Sequence, residues 1–434
     1  MIHLLQRDWQ RARHSILAHN AGWMMLGQTS NLVVQALYFA VLGRLLGSTE
    51  YGIYVGAFAL VSTLSAFSSM GSGTLLLRYV SIDRSKFGAY WGNMLLTTTC
   101  FGGILIGVAH LCAPRILNPM SASLVLFAGI AGCFCGEITR NAAIVFQAYE
   151  EMQITAFVGF SSNVARCAAA IGLVVAYQHV SALRWAIAAM LVSMLVATVS
   201  TITVLYRYGR PTFSFDLLFR RMPEGFNYSF ATSTGTIYND VDKSILSHYG
   251  FNQANGIYSL AYRVIDAASS PGAAILESIL PRLFREGGRD IPELTRFTRR
   301  VLTRSILVSG GVALILYVAA PLAPLLAGRS FADSVAAIRW LCLIPLLRSV
   351  HGVTGRGMLG MGKQTYRTMS QLVVAGFNLT INLYWIPLYG WKGAAWSSLL
   401  SDGLLAVINS ALFVMLCRRA AASQGGPLHS VASQ

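Results

Sequence analysis

Charged side chains are scarce in this sequence. Asp, Glu, Lys and Arg make up 12% of the 434 residues, about half the roughly 25% usual in soluble domains. That shortage excludes a string of soluble domains, and 55% hydrophobic residues exclude disorder, which needs low hydrophobicity. Cysteine offers no chemistry either. The seven cysteines form no CxxC, most lie in apolar runs where they act as small hydrophobes, and Cys133-x-Cys135 alone is not a metal site. No GxxxxGK[ST] phosphate loop is present: Gly362-Lys363-Gln364 lacks both the spacing and the hydroxyl, so no ATPase is expected. No nucleophile motif surrounds any Ser or His, and the chain reads as a non-enzyme without cofactor or bound metal. The basic start (Arg7, Arg11, Arg13) runs into a long apolar stretch with no small-residue cleavage site. That pattern predicts a retained first span rather than a signal peptide.

Apolar stretches are what the chain has in abundance. A bilayer core of ~30 Å needs about 20 mostly apolar residues per helix. That ruler predicts spans at 16–41, 51–79, 90–112, 121–146, 152–177, 184–206, 225–248, 255–280, 303–326, 332–360, 368–388 and 391–416. With the N-terminus inside, the cytoplasmic segments hold 20 Lys and Arg and the outer loops only 5 (Arg44, Arg115, Arg184, Arg329, Lys392). The bias predicts a multi-pass membrane protein of twelve helices with both termini cytoplasmic. The net charge of +16 is therefore mainly a topology signal, and a nucleic-acid partner is not expected.

Outer loops are short, which leaves no room for an extracytoplasmic catalytic domain. The longest polar stretch, 281–302, reads as a cytoplasmic linker between helices 8 and 9, held by positive charge at the membrane surface. Tyr51-Gly-Ile-Tyr54 and Asn255-Gly-Ile-Tyr258 superpose at a spacing of 204 residues, each after the first helix of a six-helix half. Duplicated halves are a recurrent transporter architecture. The predicted organisation is an N-terminal six-helix lobe (1–222), a C-terminal six-helix lobe (223–417) and a short tail (418–434).

The segment LYFAVLGRLLGSTEYGIYVGAFALVSTLSAFSSMG (Leu37 to Gly71) joins a first helix ending in "aRxLG" to an "eyGiY" opening of the second. Near the C-terminus, PLYGWKGAAWSSLLSD (Pro387 to Asp402) has the pattern P-x-x-G-x-x-GAA at the start of the twelfth helix. Together these resemble the polysaccharide transporter family. Those are the Wzx-type lipid-linked oligosaccharide flippases of the multidrug/oligosaccharidyl-lipid/polysaccharide (MOP) exporter superfamily. The resemblance implies an all-α polytopic membrane protein, twelve helices in two six-helix lobes forming a V-shaped bundle, with a cavity between the lobes. It implies alternating access that flips undecaprenyl-pyrophosphate-linked oligosaccharide repeat units for O-antigen, capsule or exopolysaccharide biosynthesis. The implied partners are that polyprenyl-pyrophosphate-linked oligosaccharide, membrane lipids, a polysaccharide polymerase and a chain-length regulator.

Charges inside a bilayer cost several kcal/mol and mark functional candidates. Eight basic residues fall within spans: Arg78, Arg140, Arg166, Lys243, Arg263, Arg339, Arg348 and Arg356. Six acids accompany them: Glu137, Asp240, Asp242, Asp266, Glu277 and Asp402. Glu137/Arg140, Asp240/Lys243 and Arg263/Asp266 share helical faces at i, i+3; self-neutralising pairing is the structural alternative to a functional role. Arg166 and Arg348 have no acid within four residues, so each must meet another helix, water or an anionic substrate. Gln28, Asn31, Gln35 and Tyr38 form a polar stripe on helix 1, as do Ser233, Thr236, Asp240 and Lys243 on helix 7. Ser259, Arg263, Asp266, Ser270 and Glu277 do so on helix 8.

The expected substrate-binding set is Arg166, Arg348, Arg263, Lys243, Arg140, Gln28, Asn31 and Gln35, because arginine binds a pyrophosphate bidentately. Asp240, Asp266 and Glu137 are the expected carriers of a coupling H⁺ or Na⁺. Pro271 and Pro345 would interrupt helices 8 and 10, and the glycine-rich run His351 to Lys363 offers either a hinge or close packing. Asp240-Val-Asp242 imitates a metal-binding DxD, but i, i+2 carboxylates on a helix diverge by ~200°. Asn378-Leu-Thr380 matches a glycosylation sequon yet lies within helix 11. Two other functions stay open: a cation-coupled drug or metabolite antiporter of the same superfamily, and a membrane polysaccharide polymerase, which should have a large outer loop.

Overall fold

A segment crossing hydrocarbon must satisfy its own backbone donors and acceptors, and a helix does so without help. The computed structural model describes residues 2–177, 179–279, 283 and 291–424, and no β-strand occurs among them. Among the described residues, each expected span is largely helical. The elements are α1 (Ile2–Ser68), α2 (Ser72–Ile82), α3 (Phe87–Ile116), α4 (Pro119–Ala122), α5 (Val125–Gly129), a π-helical turn (Ile130–Gly136), α6 (Glu137–Ala148), α7 (Met152–Ala176) and α8 (Ala182–Tyr208). They continue as α9 (Phe215–His248), α10 (Asn252–Ser278), α11 (Ile291–Ala319), α12 (Leu322–Ala327), α13 (Ser334–Leu341), α14 (Ile344–Gly360), α15 (Gln364–Tyr389) and α16 (Trp391–Gln424). Eight helical stretches of the described residues are long and apolar enough to cross a membrane. Predicted spans 4, 7 and 8 are not among them; span 4 contains the π-helical turn.

Several boundaries differ from the hydropathy expectation. Spans 1 and 2 are two helices that meet directly at a kink at Gly47, whose φ of 69° only glycine adopts without strain. Span 2 extends to Ile82 after a second break at 69–71. Helix α11 begins at Ile291, twelve residues before the predicted span, so much of the expected linker is helix. The reason is amphipathic spacing: Leu294, Phe297 and Val301 turn inward while Arg296, Arg299 and Arg300 stay exposed. Pro345 does not interrupt a helix. It lies in the first turn of α14, where its missing N–H costs nothing. Helix α10 is continuous through Pro271.

The chain divides into two compact units, Met1–Gly256 with Leu325–Phe331, and Ile257–Pro324 with Ala332–Gln434. In the first unit, Ala57, Ala109, Ala113, Ala122, Ala128 and Ala186 are buried in one cluster, letting helices approach closely. Such packing, rather than hydrophobicity, associates helices in lipid. Larger apolar side chains (Leu191, Leu195, Val175) face outward instead. The sequence motifs acquire structural roles here. Arg44 donates to the carbonyls of Leu325 and Leu326 at 2.6 and 2.7 Å, capping the C-terminal end of α12. The Glu50 carboxylate accepts the Ala182 N–H at 2.6 Å, a charge placed at the N-terminus of α8.

The repeated Gly-Ile-Tyr segments touch each other. A Cβ on Gly52 would lie 1.8 Å from the Asn252 carbonyl oxygen, and one on Gly256 would lie 1.9 Å from that of Ser48. Ser48/Asn252 and Gly52/Gly256 are both 204 apart, so the contact is reciprocal in the manner of a two-fold interface. Asn255 Nδ2 donates to the Gly52 carbonyl at 3.1 Å and seals it.

In the second unit, α15 and α16 are joined by buried amides and hydroxyls. Asn382 Nδ2 donates to Asn378 Oδ1 at 2.9 Å, Asn378 Nδ2 to Ser401 Oγ at 3.0 Å, and Ser397 Oγ to Asn382 Oδ1. Asn378 is 3% exposed, so its sequon is structural. Glycines of the run after His351 pack tightly, with Gly357 on Phe413 and Gly360 on Leu283; α14 is regular through Gly360.

Candidate functional site

Each unit carries buried charges of its own. In the first, α9 presents Asp240, Asp242 and Lys243. Lys243 Nζ donates to Asp240 Oδ1 at 2.8 Å and to the Asn239 carbonyl, and lies 3.7 Å from Asp242 Oδ1. Ser62 Oγ of α1 donates to Asp240 Oδ2 at 2.7 Å. The side chains of Lys243 and Asp242 are 5% and 3% exposed. Asp240 and Lys243 pair at i, i+3 as their spacing predicts. Asp242 points elsewhere, yet the flexible lysine stem reaches both acids. Two carboxylates thus approach one ammonium.

Glu137 follows the wide π-helical turn Ile130–Gly136, a form often found at functional sites. Its side chain is 5% exposed and accepts from Arg140, whose own side chain is half exposed, while Ser69 Oγ lies 3.5 Å away. The buried acid is therefore neutralised by a cation that reaches open space.

The third feature of this unit is the polar seam between α1 and α7. Asn163 Nδ2 donates to Asn31 Oδ1 at 2.5 Å. Arg166 lies three residues on, on the same face, and is partly buried. No described residue comes within hydrogen-bond or ion-pair distance of it. Gln35, one turn along α1 from Asn31, is also partly buried. The side chains of Gln28 and Thr236 lie outside the described residues. Tyr38 departs from the expected stripe: it is buried against Trp185, with ring centroids 5.9 Å apart.

In the second unit, Arg348 of α14 finds its acids on other helices. Its Nη1 donates to Asp266 Oδ1 of α10 at 2.7 Å, and its Nε lies 3.8 Å from Asp402 Oδ2 of α16. The Tyr262 ring sits 5.6 Å from the guanidinium carbon. Asp402 is 1% exposed, and His351 Nε2 lies 3.5 Å from its other oxygen. Arg263, three residues before Asp266 on α10, is partly buried. The Glu277 side chain lies outside the described residues. Among the described residues, no group of three His, Cys, Asp or Glu could hold a metal ion.

The profile of the family described as polysaccharide biosynthesis protein matches residues 17–286. The chain belongs to the polysaccharide biosynthesis protein family. This member's fold is that of MATE transporters in the MOP superfamily. An inward-facing multidrug resistance MATE transporter aligns at TM-score 0.71 and 14% identity, over 92% of this chain and 96% of that one. An outward-facing one aligns at 0.61 and 12%, over 95% and 97%. A MATE structure in the bent conformation aligns at 0.57 and 13%, over 94% and 96%. No curated protein matches in sequence. Family, fold and apolar helices together make this polysaccharide biosynthesis family member a multi-pass membrane protein.

Of the residues predicted from sequence, the structure brings Asp266 to Arg348, Asp240 to Lys243, Glu137 to Arg140, and Asn31 to the helix carrying Arg166. Three participants had no assigned role. His351 is legible after the fact, being three residues from Arg348 on one helix. Ser62 and Asn163 are not: each meets a partner more than 130 residues away in sequence, and a lone Ser or Asn in an apolar run carries no signal of its own.

Proposed function

We propose that this protein moves a polyprenyl-pyrophosphate-linked oligosaccharide across the inner membrane by alternating access. The observation that carries the reading is Arg166, a partly buried mid-helix cation without a partner among the described residues, beside the Asn31–Asn163 amide pair. An unpaired ion is expensive away from water, and an anionic ligand is the economical explanation for keeping it. Membership of a polysaccharide biosynthesis family supports a sugar-bearing substrate, and a MATE-like fold supports transport. Arg166 grips the pyrophosphate as a bidentate fork; Asn31, Gln35 and Gln28 hydrogen-bond the first sugars; the half-exposed Arg140 extends the basic path. Arg348 and Lys243 act with their acids rather than as bare cations, and Arg263 lies on the same helix as Asp266.

Those acids favour cation coupling. Lys243 faces two carboxylates and so does Arg348, and a carboxylate paired with a cation is a group that exchanges that partner for a proton or Na⁺. Asp240, Asp266 and Glu137 are the coupling carboxylates. In this account the termini are cytoplasmic, and a polymerase and chain-length regulator receive the product. The competing reading, a cation-coupled drug or metabolite antiporter, is favoured by the same carboxylates. Replacing Arg166 with Ala at normal protein level separates them. Flipping predicts loss of surface polysaccharide with lipid-linked precursor accumulating inside; unchanged polysaccharide together with altered drug tolerance supports the antiporter.

A further inference from the structure

The second unit carries a basic surface that the transport reading does not use. Helix α11 displays Arg296, Arg299, Arg300 and Arg304, all exposed, and α16 displays Arg418 and Arg419, also exposed. The two sets meet. Thr295 Oγ1 donates to Cys417 Sγ at 3.3 Å, so Arg296 and Arg418 each directly follow a contact residue, and Arg299 lies one turn beyond Thr295 on its face. Beneath them the helix ends are held by buried Leu294, Phe297, Phe413 and Leu416, with Met361 packed against both groups. The arginines thus project from a fixed corner rather than a loose tail.

Acid at this corner is sparse. Glu293 takes Arg300 at 2.8 Å and Arg296 at 3.6 Å. Arg299, Arg304, Arg418 and Arg419 make no ion pair with any described residue. Four of the arginines line an open groove of about 480 Å³, and the other two line one of about 560 Å³ whose walls are Ala411, Val414 and Met415. One turn farther into the helices the exposed side chains turn apolar: Leu307 and Val308 on α11, Val407 and Val414 on α16.

We propose that this corner binds the phosphate of an anionic phospholipid headgroup, with the acyl chains lying along the apolar faces of α11 and α16. The charge calls for an anion, and planar guanidinium forks suit phosphate. A free anion would account for the arginines but not for the apolar walls directly beyond them. An amphiphile accounts for both. The orientation bias of basic loops requires positive charge on this side, but it does not require six arginines to gather at one contact between two helices distant in sequence.

The test is lipid binding by the purified full-length protein, titrated with a fluorescent phosphatidylglycerol and with phosphatidylcholine of the same chains. Each arginine near a headgroup contributes about fivefold in affinity. R299Q/R418Q should therefore lower the preference for phosphatidylglycerol roughly 25-fold. R299K/R418K, which keeps the charge, should retain most of it and guards against misfolding as the cause. R210Q/R220Q removes the same charge from exposed positions of the first unit and should leave the preference intact. Equal loss in R210Q/R220Q would overturn the site in favour of diffuse attraction. No loss in R299Q/R418Q would overturn it outright. Inorganic phosphate displacing the lipid as effectively as phosphatidylglycerol itself would reassign the corner to a soluble anion.

Discussion

Replacing Lys243 with Met keeps the stem's bulk and deletes the ammonium that lies 2.8 Å from Asp240 and 3.7 Å from Asp242. Asp242 is 3% exposed. Breaking a buried pair by removing one partner costs about 3–5 kcal/mol, because the surviving charge stays buried. At ~2–4 °C per kcal/mol for units of this size, melting in detergent should fall by roughly 6–20 °C. The cost belongs to the stranded carboxylates, so K243M/D240N/D242N should recover most of it despite carrying more substitutions. Thermal unfolding followed by tryptophan fluorescence reads both variants. A K243M protein that melts with the wild type would refute the reasoning, as would a triple variant less stable than K243M.

Other consequences follow from the same geometry. Arg348→Met removes a cation 3.8 Å from Asp402, which is 1% exposed, and should cost about 3–5 kcal/mol, whereas R348M/D266N/D402N should regain thermal stability in the same assay. Gly52→Val and Gly256→Val each drive a side chain into the other repeat's backbone, at 1.8 and 1.9 Å. Each should cost at least ~1–3 kcal/mol, and because both break one contact the double variant should cost clearly less than the sum; monodisperse yield on size exclusion and melting temperature check this. Gly103→Ala is the contrast, since nothing lies within 4 Å of its Cβ. It should gain up to ~1 kcal/mol from helix propensity, read as a raised melting temperature.

Much of the fold was legible because hydropathy and helix length report the same requirement, that backbone polar groups be satisfied within lipid. Where predicted boundaries fell short, the cause was composition. Residues 291–302 are helical but too basic for a hydropathy window, and spans 1 and 2 follow one another without a loop because the backbone turns at Gly47 alone. The Gly-Ile-Tyr repeat was visible as a four-residue match, and its reciprocal contact explains why glycine recurs there. The site was only partly legible. Pairs at i, i+3 follow from helical periodicity, and Glu137/Arg140 and Asp240/Lys243 form accordingly. The partners of Arg348 come from α10 and α16, and no local spacing encodes those. Arg166 resembled Arg348 in sequence, each lacking a nearby acid; only the tertiary structure separates them, supplying two carboxylates to one and none of the described residues to the other.

That separation gives the most direct test of the account. Purified protein in proteoliposomes should move a fluorescent polyprenyl-pyrophosphate oligosaccharide from one leaflet to the other, measured by protection from a membrane-impermeant quencher. The account predicts that Arg166→Gln abolishes this movement while leaving the melting temperature unchanged, because no described residue depends on Arg166 for its charge. Full movement by the R166Q protein would contradict it, as would the absence of movement by the wild type.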